Sequence, residues 1–298
     1  MLVMNPETDK IYTSFKYCEK IAKDHYENFP VGSLLVPGDK RKYVWAIYAF
    51  ARYADDIADS EELSPESKLE KLEALEEGLL AFINNPFAVN ENEWKFLSAL
   101  LETIDTLSIP VVELTNLLKA FKQDAVKQRY DSFDELIEYS RYSANPIGHL
   151  VLYVFGYNPS NDEKLYAYSD NICTALQLTN FWQDVSVDLE IGRIYIPKEV
   201  MTEYSYSYDD LLAKKEDERF TGIMQKLTER TRRIFAAGQP LIRELSGRLK
   251  LEIKATYMGG NAILDKIEAM DYGVLSKRVK LGKRDKASLI LKTFLSKA

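Results

Sequence analysis

An all-α fold is predicted for this 298-residue chain by three observations. Apolar residues recur with helical period in nearly every segment, alternating strand patterns are scarce, and turn residues divide the chain at intervals. Helical period covers residues 12–26, 42–59, 67–83 and 94–107, then 112–126, 133–142, 162–189, 218–248 and 254–270. Punctuation is read at Asn84-Asn85-Pro86, Ile109-Pro110, Asn158-Pro159, Gly192 with Pro197, and Gly259-Gly260, residues that stop helices or turn the chain. Asn145-Pro146 interrupts one apolar helix, so a kink or break is expected near that point. The best strand pattern, GRIYIP at residues 192–197, is too short to found a sheet. No repeat of about 20–50 residues suggests a solenoid. No composition shift or Gly/Ser-rich linker marks a boundary, so one domain over residues 1–298 is expected.

Bulk composition excludes several classes of function. Hydrophobic residues make up 46% and charged residues 29%, ordinary for a soluble globular protein. A formal charge of −7 argues against nucleic acid as the main partner. Cys18 and Cys173 are far apart and form no C-x-x-C pair, which fits reduced core thiols in a cytoplasmic protein. The N-terminus has no signal-peptide pattern, and no apolar run approaches the roughly 18 residues that span a bilayer. Peripheral contact with the inner face of a membrane stays open.

Two acidic pairs stand out. Asp55 and Asp59 form D-x-x-x-D, with Asp56 making a second parse, D-D-x-x-D; Asp184 and Asp188 repeat D-x-x-x-D. The spacing alone proves little, since 20 aspartates in this length give about one such pair by chance. The surroundings say more. On a helical wheel Tyr48, Arg52, Asp55 and Asp59 fall within an arc of roughly 60°, and Asp56 lies off that line. Gln177, Asn180, Asp184 and Asp188 share an arc of roughly 80°. Each helix is otherwise apolar.

A narrow polar stripe ordinarily faces water. Charge composition opposes that for the second helix, because residues 165–192 hold no lysine or arginine where roughly four are expected, and solvated faces normally mix both signs. Unpaired buried carboxylates are costly, and a divalent cation would supply the missing charge. Residues i and i+4 are neighbours on a helix face. Two carboxylates can therefore reach one or two Mg²⁺ ions, which prefer oxygen and commonly bind protein carboxylates together with substrate phosphates. Two such stripes would hold a diphosphate and stabilise the charge that develops as it leaves.

Together these residues resemble the squalene/phytoene synthase family of head-to-head isoprenoid synthases, over about residues 17–284. The first aspartate motif of that family is matched by Asp55 and Asp59. Its Q-x-x-N-x-x-x-D-x-x-x-D frame is matched by Gln177, Asn180, Asp184 and Asp188. The resemblance implies a helical isoprenoid-synthase bundle with a central substrate cavity. It also implies two or three Mg²⁺ ions held by Asp55, Asp59, Asn180, Asp184 and Asp188. Tyr48 and Arg52 match the pair preceding the first motif and join the catalytic set. His25 and Phe29 match a helix that closes over the diphosphate and prenyl chain. Tyr139, Ala144 and Gly148 match a kinked helix beside the substrate tunnel, and Tyr272 and Arg278 match C-terminal phosphate contacts.

The stretches HYENFPVG, AFKQDAVKQRY, SANPIGHL and NFWQDVSVDLEIGRIYIP look like one branch, the hydroxysqualene synthases of bacterial hopanoid pathways. That likeness implies presqualene diphosphate as substrate, loss of diphosphate, rearrangement of a cyclopropylcarbinyl cation and capture by water. Gln183 stands where many condensing relatives carry arginine, which weakens the case for joining two prenyl diphosphates such as farnesyl diphosphate. His149, Asn145 and Gln183 are the candidates for holding the attacking water. Condensation to squalene, dehydrosqualene or phytoene is the alternative.

Readings from other classes fare worse. A di-iron bundle needs E-x-x-H pairs, but the two histidines follow Ala22 and Pro146 at i−3. A head-to-tail elongator needs aspartate where Val185 stands. No G-x-G-x-x-G marks a dinucleotide site.

Overall fold

The computed structural model describes residues 6–24, 36–85, 94–158 and 161–295. These form fourteen helices and no strand; the isolated bridge pairs Arg129 with Ile194, inside the stretch expected to be too short for a sheet. The chain groups into two compact units. One comprises Met1–Val126 with His149–Pro159, the other Lys127–Gly148 with Ser160–Ala298.

The first unit is built on α1 (Pro6–Asp24), α2 (Arg41–Ala58), α3 (Pro65–Asn84), α4 (Leu97–Leu107) and α5 (Val112–Asp124). Local chemistry sets several of their ends. Ser64 accepts from the Ser67 amide and Pro65 opens α3, the usual residues for a helix start. Buried Ser14 on α1 accepts from the Ala99 amide at 2.9 Å and donates to the Lys95 carbonyl at 2.7 Å. One helix thereby satisfies an orphan donor at the start of another. A Cβ on Gly78 would meet Trp94 at 2.1 Å, so only glycine lets α3 lie this close to the indole. Phe50, Phe82 and Phe96 fill the core beside it.

The second unit contains α6 (Phe133–Ser143), the start of α7 (Asn145–Val154), α8 (Glu163–Glu190), α9 (Lys198–Glu203) and α10 (Tyr208–Leu212). Then follow α11 (Glu218–Gly238), α12 (Leu241–Glu244), α13 (Gly247–Ala269) and α14 (Lys283–Leu295). Helix α8 runs through its centre. Trp182 on α8 is fully buried, and its Nε1 donates to buried Thr231 on α11 at 2.8 Å, so the indole dipole is satisfied without water.

Most predicted helices lie where expected, including the break between α6 and α7 at Asn145. Two expectations are corrected. The helix read over residues 218–248 ends at Gly238, and a short α12 follows Pro240; a proline there removes an amide donor and crowds the carbonyl four residues back. Gly259-Gly260 does not interrupt α13. A Cβ on Gly260 would meet Phe235 at 2.5 Å and Leu176 at 2.9 Å, so this glycine serves close helix packing. Helices α9, α10 and α14 had no counterpart in the sequence reading. Both cysteines are free, Cys18 buried and Cys173 half-buried, and desolvation pushes each thiol up to about 12, which disfavours the reactive thiolate.

The two adjacent glycines of α13 predict opposite responses in urea unfolding. Gly259 has nothing near its absent Cβ, so Gly259→Ala should stabilise by about 0.5–1 kcal/mol through helix propensity. Gly260→Ala should destabilise by about 1–3 kcal/mol through overpacking.

Candidate active site

Both acidic pairs occupy the C-terminal end of their helices. Asp55 lies in the last turn of α2 and Asp59 is its capping residue; Asp184 and Asp188 lie in the last two turns of α8. Neither last turn contains a basic residue. The helix dipole disfavours negative charge at this end, so each pair requires cations from elsewhere.

In the first unit Arg52 supplies one. Its Nη1 donates to Asp55 Oδ2 at 3.3 Å, and its Nη2 pairs with Asp56 Oδ1. Asp56 points further into solvent than Asp55, in keeping with its place off the polar stripe. Arg52 Nε is buried with no hydrogen-bond partner, a donor that an anion could satisfy. Burial raises the pKa of the Tyr48 hydroxyl one turn away, Arg52 opposes that shift, and Asp55 and Asp56 add to it. Tyr48, Arg52 and Asp55 thus form one electrostatic group on α2.

In the second unit the cation comes from the C-terminal segment. Arg278 forks onto Asp184, with Nε to Oδ1 at 2.5 Å and Nη2 to Oδ2 at 2.9 Å. This corrects a premise of the sequence reading: the helix around Asp184 lacks cations in sequence but not in space. Asp184 is buried, and one turn on, burial followed by the charge of Asp184 raises the Asp188 carboxyl to about 7, against Arg193 and Arg278. Asn180 is exposed and Gln177 half-buried on the same face.

Two clamps aim Arg278. Glu216 accepts from the amides of Leu275 at 2.7 Å and Ser276 at 3.1 Å. Gln183 Nε2 donates to the Val279 carbonyl at 2.6 Å. Buried Val274, Leu275 and Val279 anchor the strand of chain between them. One N–H of the Gln183 amide is therefore engaged in holding backbone. Tyr272 begins the segment in a left-handed turn with φ of 60°; burial and the nearby Glu268 raise its hydroxyl pKa.

The remaining predicted residues are placed as follows. Asn145 is buried, and its Oδ1 accepts from Thr174 on α8 at 3.0 Å. A Cβ on Gly148 would lie 2.4 Å from Ser169 Oγ and 2.6 Å from Cys173 Sγ, so Gly148 and Asn145 fasten the start of α7 to α8. Ala144 is buried at the break. His149, in the first unit, sets Nδ1 3.0 Å from both oxygens of Glu113. His25 and Phe29 lie outside the described residues.

Tyr139 belongs to an aromatic cluster that sequence reading missed. Its ring lies 5.9 Å from Tyr130 and 6.0 Å from Phe181, while Tyr195 stacks on Phe181 at 3.8 Å. Phe181 and Tyr195 line a pocket with Asp188 and Arg193, so π faces sit beside a carboxylate. The signal was present in GRIYIP, whose Tyr195 follows the α8 aspartates by one short turn.

The donor chemistry fits hard cations. Among the described residues no three His, Cys, Asp or Glu side chains converge as ligands. Each aspartate pair nevertheless offers two carboxylates one turn apart, and Mg²⁺ commonly takes only one or two from protein.

Comparison with known proteins gives four findings. Residues 22–285 match the squalene/phytoene synthase family model. The chain is 34% identical to a hydroxysqualene synthase of Rhodopseudomonas palustris, over 86% of this chain and 83% of that one. It is 29% identical to a chloroplastic phytoene synthase of an Oncidium hybrid over 92% of its own length, and it spans 66% of that relative. Among solved structures, squalene synthase HpnC from Alicyclobacillus acidocaldarius superposes with a TM-score of 0.80 at 33% identity, covering 88% of this chain and 96% of that chain.

The Arg278 and Gln183 contacts are expected to act as one unit. Arg278→Gln should destabilise the metal-free protein by about 1–2 kcal/mol, a half-exposed arginine beside a buried acid. Gln183→Ala should cost about 1 kcal/mol, and the double variant less than the sum, by about 0.5 kcal/mol or more. Adding MgCl₂ should narrow the deficit of Arg278→Gln in urea titrations, because the cation replaces the lost charge.

Proposed function

The chain belongs to the squalene/phytoene synthase family, and from that premise we propose that it converts presqualene diphosphate and water to hydroxysqualene and diphosphate. The whole of residues 1–298 acts as one catalytic domain, a diphosphate-releasing carbon–oxygen lyase in squalene and hopanoid biosynthesis. Asp55 and Asp59 on α2, and Asp184 and Asp188 with Asn180 on α8, supply the oxygen ligands for magnesium. When bound, magnesium neutralises charge building on the departing diphosphate.

The protein's own groups do the rest. Arg52 donates to a phosphate oxygen through its unpartnered Nε, and Arg278 lies beside Asp184 where a second guanidinium donor is needed. The C–O bond breaks with its electron pair leaving on diphosphate. The cyclopropylcarbinyl cation rearranges, and water adds its oxygen lone pair and loses a proton. Phe181, Tyr195 and Tyr139 supply π systems that stabilise positive charge.

The observation that carries the choice of reaction is Gln183. A neutral amide, bonded through Nε2 to the Val279 carbonyl, occupies the place where many condensing relatives carry arginine. With no lysine or arginine on α8 beyond Lys164, the guanidinium of Arg278 beside Asp184 suits one diphosphate better than two. The 34% identity to a hydroxysqualene synthase supports the same choice. The phytoene synthase relative, matched over 92% of this chain, favours the second reading, condensation of two prenyl diphosphates by a transferase.

Incubation with presqualene diphosphate, Mg²⁺ and ¹⁸O-water should yield a C30 alcohol bearing ¹⁸O by mass spectrometry. Efficient C30 or C40 hydrocarbon formation from farnesyl or geranylgeranyl diphosphate alone would favour the second reading. Asp55→Asn and Asp184→Asn should each reduce diphosphate release by 10²-fold or more (about 2.7 kcal/mol); survival of release in both would defeat the metal-site assignment.

A further inference from the structure

The last segment of the chain differs in charge from everything before it. Residues 277–298 contain eight of the 39 lysines and arginines and one of the 46 acidic residues. That is a local charge of +7 on a chain whose total is −7. Within it, α14 is seated in one orientation on α13. Buried Thr293 lies with Oγ1 3.9 Å from Met258 Sδ, and Asp285 pairs with Lys266 at 2.8 Å.

That seating turns an apolar face outward. Ile290, Leu291, Phe294 and Leu295 are 62%, 59%, 63% and 73% exposed, and they share an arc of about 140°. No other described helix carries more than one exposed large apolar side chain. Lys283 and Arg284 lie on the same arc nearer the start of α14, and exposed Lys286 and Lys292 flank it. Apolar side chains rimmed by lysine and arginine are the pattern of a helix that lies in the headgroup layer of an anionic bilayer.

We propose that α14 is an interfacial helix that docks this protein on an anionic lipid surface, with Ile290, Leu291, Phe294 and Leu295 entering the acyl boundary and the basic residues pairing with headgroup phosphates. Charge decides between this occupant and a second copy of the chain. An isologous contact would set two segments of charge +7 against each other, whereas anionic lipid is attracted to both. The chemistry of the reaction agrees, a point that rests on the proposed function: the substrate is an amphiphile, and a C30 alcohol leaves more readily into lipid than into water. The docking test itself needs no turnover.

Sedimentation of the full chain with vesicles of phosphatidylcholine alone, and of phosphatidylcholine mixed with phosphatidylglycerol, separates the outcomes. The protein should bind the mixed vesicles and detach as salt is raised. Replacing Ile290, Leu291, Phe294 and Leu295 by serine should weaken that binding tenfold or more, as should replacing Lys283, Arg284 and Lys286 by glutamine. In Phe294→Trp, the emission should shift to the blue on adding mixed vesicles, a readout independent of the two multiple variants. Conversion of detergent-dispersed substrate should be unchanged in all three. The proposal is overturned if the chain binds neither vesicle, binds both equally, or keeps its binding in the serine variant. It is equally overturned if light scattering shows a dimer that the serine changes dissolve while no vesicle binding occurs.

Discussion

Negative charge at the negative end of a helix is the constraint around which both units are arranged. Asp55 with Asp59, and Asp184 with Asp188, sit where unpaired carbonyl dipoles already point outward. A fold selected for stability alone would put acids in the first turns and bases in the last. Placing carboxylates the other way costs free energy unless cations compensate, and the two units answer with different devices. On α2 the cation is local, Arg52 reaching three and four residues along its own helix. On α8 it is remote, Arg278 returning 94 residues later in the chain.

The remote solution demands more structure. An arginine has a long, mobile side chain, and holding it in a bidentate pose costs rotamer entropy. Here the backbone beside it is held from two directions, by Glu216 at Leu275 and Ser276 and by Gln183 at Val279. Three buried aliphatic residues fix the intervening chain. The segment is therefore preorganised, and the guanidinium is delivered to one carboxylate and not to its neighbour. At Asp188, burial and the charge of Asp184 outweigh the pull of Arg193 and Arg278 and raise the carboxyl to about 7. The two acids of this pair are thus offset differently, Asp184 by a bidentate arginine and Asp188 by a raised affinity for its proton.

The aromatic cluster sets the other side of this chemistry. Phe181 precedes Asp184 by three residues on α8, so one helix presents a ring and a carboxylate to neighbouring positions. Tyr195 reaches Phe181 because α8 ends in a tight turn at Gly192, whose φ of 78° is in the left-handed region. That turn returns the chain against its own helix. Charge-binding oxygens and cation-tolerant π faces are in this way contributed by one short stretch of sequence.

Much of this was legible before any coordinates. Helical period, the break at Asn145-Pro146 and the polar stripes are properties of residues within a few turns of each other, and short-range order in sequence fixes them. The resemblance that named Arg278 rested on such local motifs as well. What lay beyond reach was anything decided by residues far apart. Gly259 and Gly260 look alike in sequence, yet only one of them meets Phe235 and Leu176. The span 165–192 reads as free of cations, yet Arg278 supplies one. Gln183 reads as a spare polar group near the site, yet its Nε2 holds the Val279 carbonyl. Local pattern determined by itself that the chain is helical and where its acids lie. The counter-charge of the α8 acids, and the face α14 turns outward, were decided only by tertiary packing, because burial and Coulomb energy depend on distance in space and not on separation along the chain.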